Sequence, residues 1–122
     1  MVEFVYYNRN PDGNKESDCV TRAISLATGL SYPTIRNKLF HSSKLFSCHK
    51  LNHKCYSALL EKVFEYTTVP CRGLTVAELS SLYRNDILLI RIDGHLTCSY
   101  YGKIYDIWDC RDSRCDVAWI IK

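Results

Sequence analysis

A change of period at Ile87 narrows the folds open to this chain more than any other feature. From there on, apolar residues come in runs of strand length. DILLIRI is a continuous run, GHLTCSYYGKIYDIWD makes two runs about a turn at Tyr101-Gly102, and DVAWIIK closes the chain. Upstream the spacing is helical, and only VEFVYY, residues 2 to 7, reads as a short edge strand. No strand–helix–strand alternation joins the two halves. Helices followed by strands imply an α+β fold, with N-terminal helices packed on a C-terminal antiparallel β-sheet. The 122 residues suffice for one core, so residues 1–122 are expected to form one domain.

Local signals set the expected elements. NRNPDGNK is dense in turn formers, and Ser17-Asp18 then offers a helix cap. Val20, Ala23, Ile24 and Ala27 follow at i, i+3, i+4 and i+7, and Gly29 stops the helix. Ser31 with Pro33 starts a second helix, predicted to reach about Phe40. HSSKLFSCHKLNH, His41 to His53, has no clean period and reads as an irregular connection. A helix is predicted over Lys54 to Tyr66 on Ala58, Leu59, Val63 and Phe64, and another from Thr75 with Leu79 and Leu82 inward.

Composition excludes several functions. A content of 47% hydrophobic and 24% charged residues is that of a globular protein. The net charge of +3 is spread along the chain, so no nucleic-acid partner is expected. No run approaches the roughly 18 apolar residues a bilayer requires, so no membrane partner is expected either. MVEFVYYNRNPDG carries Glu3 and no long apolar block, unlike a signal peptide, which points to a cytoplasmic location. Seven cysteines, an odd number, are then expected as reduced thiols, with Cys19 and Cys98 in apolar-patterned segments. Cys48, His49, His53 and Cys55 in CHKLNHKC are an alternative zinc set, with Cys71 as a substitute ligand. Four ligands in one tight loop match known spacings poorly, and the expectation is no metal. Cys110 and Cys115 would close a hairpin disulfide under oxidation.

Two segments carry candidate chemistry. Cys19 falls in the first turn of its helix, where free N–H groups and the helix dipole favour a thiolate. A nucleophilic thiol needs a histidine as base and a third group to orient that base. Of four histidines, His95 begins a strand, which holds a side chain more precisely than a loop. With a two-residue turn at Tyr101-Gly102, Tyr100 pairs with Lys103 and Asp106 lies diagonally beside His95. His95, Thr97, Ser99, Ile104, Asp106 and Trp108 then share one face, and Leu96, Cys98, Tyr100, Tyr105 and Ile107 form the core face. A three-residue turn would place Asp109 opposite His95 instead. Glycine at the second turn position favours the first register.

Cys19, His95 and Asp106, in that order, resemble the papain-like cysteine peptidase superfamily. Ser17-Asp18-Cys19, with Ala23 and Leu26 behind it, is similar to the opening of the bacteriocin-leader-processing peptidases. Asp106-Ile107-Trp108 is similar to the Asn-Ser-Trp of papain. The segments Asp-Cys-Val-Thr-Arg-Ala-Ile and Asp-Ile-Trp-Asp resemble those of short papain-like proteins of phages and bacteria. The resemblance implies a papain-like fold, a Cys-His-Asp triad of Cys19, His95 and Asp106, and no cofactor. Trp108 would shield the histidine from water, with Asp109 beside it. The superfamily's oxyanion-hole Gln has no counterpart, since the chain contains no Gln; Asn14 is the substitute. The resemblance implies a cysteine peptidase or related thiol hydrolase, of the kind phages encode, with a peptide or protein substrate. The alternative is a non-catalytic papain-like scaffold that binds or inhibits a host defence protein.

Overall fold

The structure, a computed structural model, describes residues 2–11, 18–49 and 52–122. Among these lie four α-helices and six strands. In chain order they are β1 (Glu3–Tyr6), α1 (Cys19–Thr28), α2 (Tyr32–Leu45), α3 (His53–Ala58), β2 (Thr67–Val69), α4 (Val76–Leu82), β3 (Ile87–Ile92), β4 (His95–Tyr100), β5 (Lys103–Asp106) and β6 (Val117–Ile121). The strands form one sheet in the order β1-β5-β4-β3-β6-β2. The α+β class follows directly from this arrangement.

The sheet is mixed rather than purely antiparallel. β1 runs parallel to β5, with Phe4 opposite Ile104, while every other neighbouring pair is antiparallel. The sequence pattern identified β1 as a strand but carried no direction. A hairpin forces antiparallel pairing, whereas the long connection from β1 to β5 leaves either direction open.

Two helix boundaries differ from the sequence expectation. α2 continues to Leu45, so His41 is helical and not part of an irregular connection. Ser31 caps this helix by accepting from the Thr34 N–H, and Ser42, buried in its last turn, donates to the Cys55 carbonyl. That tertiary hydrogen bond supports helix where the apolar period has lapsed. α3 ends early: a single π-turn covers Leu59–Val63, closed by Phe64 N–H to the Leu59 carbonyl. Glu65 then takes a positive φ of 60° and turns the chain into β2, a strand the sequence reading did not anticipate. α4 begins as predicted at Thr75, with a full capping box to Glu78.

Both faces of the sheet are buried. Leu89, Leu96, Cys98 and Trp119 pack against Val20, Ile24, Ile35, Leu39 and Leu60 from the N-terminal helices. On the opposite face, Leu88, Ile90, Ile92, Ile104 and Ala118 pack against Val76 and Leu79 of α4. The face expected to be mixed is therefore a second core, because α4 covers it. Ser80 and Ser99 satisfy each other there at 2.6 Å.

Tyr101 and Gly102 have φ of 51° and 81°, a two-residue turn of type I′. It pairs Tyr100 with Lys103, Ser99 with Ile104 and Cys98 with Tyr105, the register that sets Asp106 against β4. A Cβ at position 102 would also lie 3.0 Å from the Arg84 Cβ. Gly102→Ala is expected to cost about 1–2 kcal/mol in a urea unfolding titration, from left-handed strain alone. An unchanged midpoint would mean that the turn relaxes into another type.

The expectation of seven reduced thiols fails at one pair. Cys48 and Cys55 are joined in a disulfide, whereas Cys19, Cys71, Cys98, Cys110 and Cys115 are free. The disulfide takes both thiolates from the zinc set suggested for this loop. Cys110 and Cys115 do not pair; Cys115 lies against Cys71 instead. Replacing Cys48 and Cys55 together by serine should lower the unfolding free energy by about 2 kcal/mol, the loop-closure effect of so short a ring. Thermal or urea unfolding of the double variant measures this.

Candidate active site

Asp18 stands at the N-cap of α1, but its side chain makes no capping hydrogen bond. It is buried and serves other partners. It forms an ion pair with Arg22 one turn on, and accepts from the Tyr32 hydroxyl at 2.5 Å and the Asn10 amide at 3.0 Å. Asp18 thereby ties α1 to α2 and to the segment that follows β1, fixing where α1 starts. Cys19 is the first helical residue and is half-buried.

β4 and β5 bring the remaining groups to the same end of the sheet. His95 opens β4 just after the Asp93-Gly94 turn, and Asp106 closes β5. Thr97 falls opposite Asp106 when the hairpin register is extended, which leaves Asp106 diagonal to His95. His95 Nε2 lies 2.6 Å from Asp106 Oδ2, and Asp106 Oδ1 accepts from the Ile107 N–H at 2.7 Å. Nε2 is thus engaged by the carboxylate, and the Cys19 sulfur is also in contact with the ring. The Leu96 backbone N–H lies near enough to that sulfur to favour its anionic form. Trp108, just past the strand end, sets its ring edge-on to His95 at 4.8 Å between centroids. Although 48% exposed, it covers one side of the imidazole.

Electrostatics couple these three groups. Burial pushes the Cys19 thiol up, but the His95 hydrogen bond, the Leu96 N–H and the charge of His95 outweigh it, and its pKa falls below the usual value. Burial opposes a charge on His95, yet hydrogen bonds to Asp106, Cys110 and Cys19 raise its pKa well above that of a free imidazole. Asp106 is held below the carboxylate range because its bond to His95 overrides burial. The arrangement favours a thiolate–imidazolium pair backed by a carboxylate.

Cys19 and His95 open onto a cleft of about 610 Å³, also lined by Val20, Tyr56, Arg91, Ile107 and Trp108. The volume lies in the range of small-molecule and peptide subsites. Of the other residues singled out from the sequence, Asp109 points away, binding Arg111 through Oδ1 and Oδ2 at 2.9 and 2.8 Å. Asn14 lies outside the described residues. His53 lines the cleft and His49 is exposed; neither shares a ligand cluster with the disulfide-bonded Cys48 and Cys55.

Two features escaped the sequence reading. Cys110, only 1% exposed, touches the His95 ring and shares a pocket of ligand atoms with His95 and Asp106. It follows the last residue of β5 through an aperiodic turn, so strand alternation could not place it. The Asp18–Arg22 ion pair did leave a signal, its i,i+4 spacing on a helix. No protein family, no curated protein and no solved structure matches this chain. No helix among the described residues is long and apolar enough to cross a membrane.

Proposed function

We propose that this chain is a small papain-like thiol hydrolase acting on a peptide or isopeptide bond. The observation that carries the reading is the contact of Cys19, at the start of α1, with an imidazole whose Nε2 lies 2.6 Å from Asp106, beside an open cleft. The Cys19 thiolate attacks the carbonyl carbon, forming a C–S bond and an oxyanion. The Cys19 backbone N–H, with Asn14 in the role the resemblance gives it, receives that charge. As the C–N bond breaks, the His95 imidazolium gives its proton to the leaving amine. Water, deprotonated by the now neutral His95, then cleaves the thioester and frees Cys19. Asp106 keeps the ring oriented and favours its protonated form, and Trp108 limits water at the His95–Asp106 bond.

Thiol reactivity tests this without a known substrate. Cys115 is a suitable internal reference, being half-buried like Cys19 but with a thiol pushed up to about 12 by burial and by nearby Cys71 and Cys110. Iodoacetamide should label Cys19 roughly tenfold or more faster than Cys115 near neutral pH, and His95→Ala should remove that preference. Cleavage of a peptide library by the parent, absent in Cys19→Ala, would complete the case. Equal labelling of the two thiols would sink the hydrolase reading and leave a papain-like scaffold that only binds.

A further inference from the structure

We propose that His95, Asp106 and Cys110 form a binding site for a thiophilic divalent cation, zinc foremost, and that the bound ion holds Cys19 inactive. No bond is made or broken at Cys110 in the hydrolase chemistry, yet its thiol is buried against the base of that chemistry. One ligand atom from each of the three residues lies within 4.8 Å of the others. Around a tetrahedral zinc, with bonds of about 2.0–2.3 Å, ligand atoms stand roughly 3.3–3.7 Å apart. The 2.6 Å contact between His95 and Asp106 must therefore open by about 1 Å, and the widest separation must close by about 1 Å. Side-chain rotations supply shifts of that size without moving the sheet.

The donor set selects the ion. One sulfur, one imidazole nitrogen and one carboxylate oxygen suit zinc and similar borderline-soft cations, whereas calcium and magnesium prefer oxygen alone. Three protein ligands leave a fourth position, which water can fill because His95 lines the cleft. Ion binding uses the His95 lone pair and the Asp106 carboxylate together. The base loses both its capacity to take a proton and its orienting partner. Metal binding does not depend on the hydrolase reading; the silencing of Cys19 rests on it.

The test uses the intact, metal-stripped protein with its Cys48–Cys55 disulfide unreduced. Zinc chloride titrated in a calorimeter should bind with one equivalent at this site. Cobalt(II) in its place should give a thiolate charge-transfer band of single-sulfur intensity. Cys110→Ala should lower zinc affinity at least roughly tenfold, the least expected for removing a direct ligand, and abolish the band, while Cys19→Ala retains both. Cys110→Ser, with a thermal melt to confirm folding, guards against a packing defect. Saturating zinc should slow alkylation of Cys19 at least roughly tenfold in the parent but not in Cys110→Ala. Unchanged zinc affinity in both Cys110 variants overturns the site. So does a band lost in Cys115→Ser, which would place the ion on Cys71 and Cys115. Equal zinc protection of Cys19 in Cys110→Ala would place the ion on Cys19 itself and overturn the proposal. If metal-free Cys19 reacts no faster than Cys115 while Cys110-dependent zinc binding persists, the hydrolase reading fails and the metal site stands.

Discussion

Asp106→Ala is expected to slow alkylation of Cys19 at about pH 6 by roughly tenfold or more, the effect of one unit of thiol pKa, with Asp109→Ala leaving the rate within about twofold. The difference follows from where the two carboxylates point. Asp106 holds His95 Nε2 at 2.6 Å inside the site, whereas Asp109 is exposed and engaged with Arg111. Without Asp106, the burial that opposes a charge on His95 meets less resistance, and the ring turns neutral at lower pH. A neutral ring no longer stabilises the thiolate. The Asp106 charge itself raises the Cys19 pKa, but that influence is weaker than the His95 hydrogen bond, so the net change is a loss. Asp106→Asn keeps an acceptor for the ring and loses the charge, and should fall between parent and alanine. If Asp109→Ala lowers the rate and Asp106→Ala does not, the third member is misassigned.

The same pair governs stability against pH. Asp106 has a depressed folded pKa, so its contribution is present above the unfolded carboxylate value and lost as pH falls through the folded one. His95 has a raised folded pKa, so its contribution is full below the ordinary imidazole value and lost as pH rises through the folded one. The ion pair therefore stabilises the fold most between about pH 4 and 6.5, the unfolded values of the two groups. Urea midpoints of the parent should decline as pH rises from there, and Asp106→Ala should flatten the decline. An equal slope in both would remove His95 as its source.

How far the site was legible depended on the range of each interaction. The hairpin was readable because a two-residue turn with glycine at its second position fixes a register, and register alone aligns His95 with Asp106. Cys19 was readable as a helix start, although the reason its helix starts there was not. A capping hydrogen bond was expected of Asp18, yet its carboxylate is spent on Tyr32 and Asn10, partners 14 and 8 residues away. The parallel pairing of β1, the short strand β2 and the packing of Cys110 on His95 all depend on contacts between distant segments, which leave no periodic trace. Ser42 illustrates the same limit from inside a helix. Its bond to the Cys55 carbonyl sustains the end of α2 where the apolar pattern had already run out.

The largest loss of stability is expected for Asp18→Ala. Asp18 and Arg22 are 7% and 6% exposed, and the pair lies beneath the first turn of α1. Removing one member of a buried ion pair leaves the other charge without that partner in a poorly solvated place, at a cost of about 3–5 kcal/mol. The Tyr32 hydroxyl and the Asn10 amide lose an acceptor as well. Set against a total of about 5–15 kcal/mol for a protein of this size, that is a large fraction. Thermal unfolding should shift down by about 10 °C or more. The double variant Asp18→Ala with Arg22→Met separates charge from packing, since methionine fills much of the arginine volume without its charge. Coupling predicts that the double variant is more stable than Asp18→Ala alone, by about 1 kcal/mol or more. Additive losses would show that Asp18 matters as an acceptor for Tyr32 and Asn10 and not as the counter-charge of Arg22. Either result bears on the site. Asp18 directly precedes Cys19, so a variant that folds but frays this turn should lose Cys19 reactivity while the His95–Asp106 contact on the sheet persists.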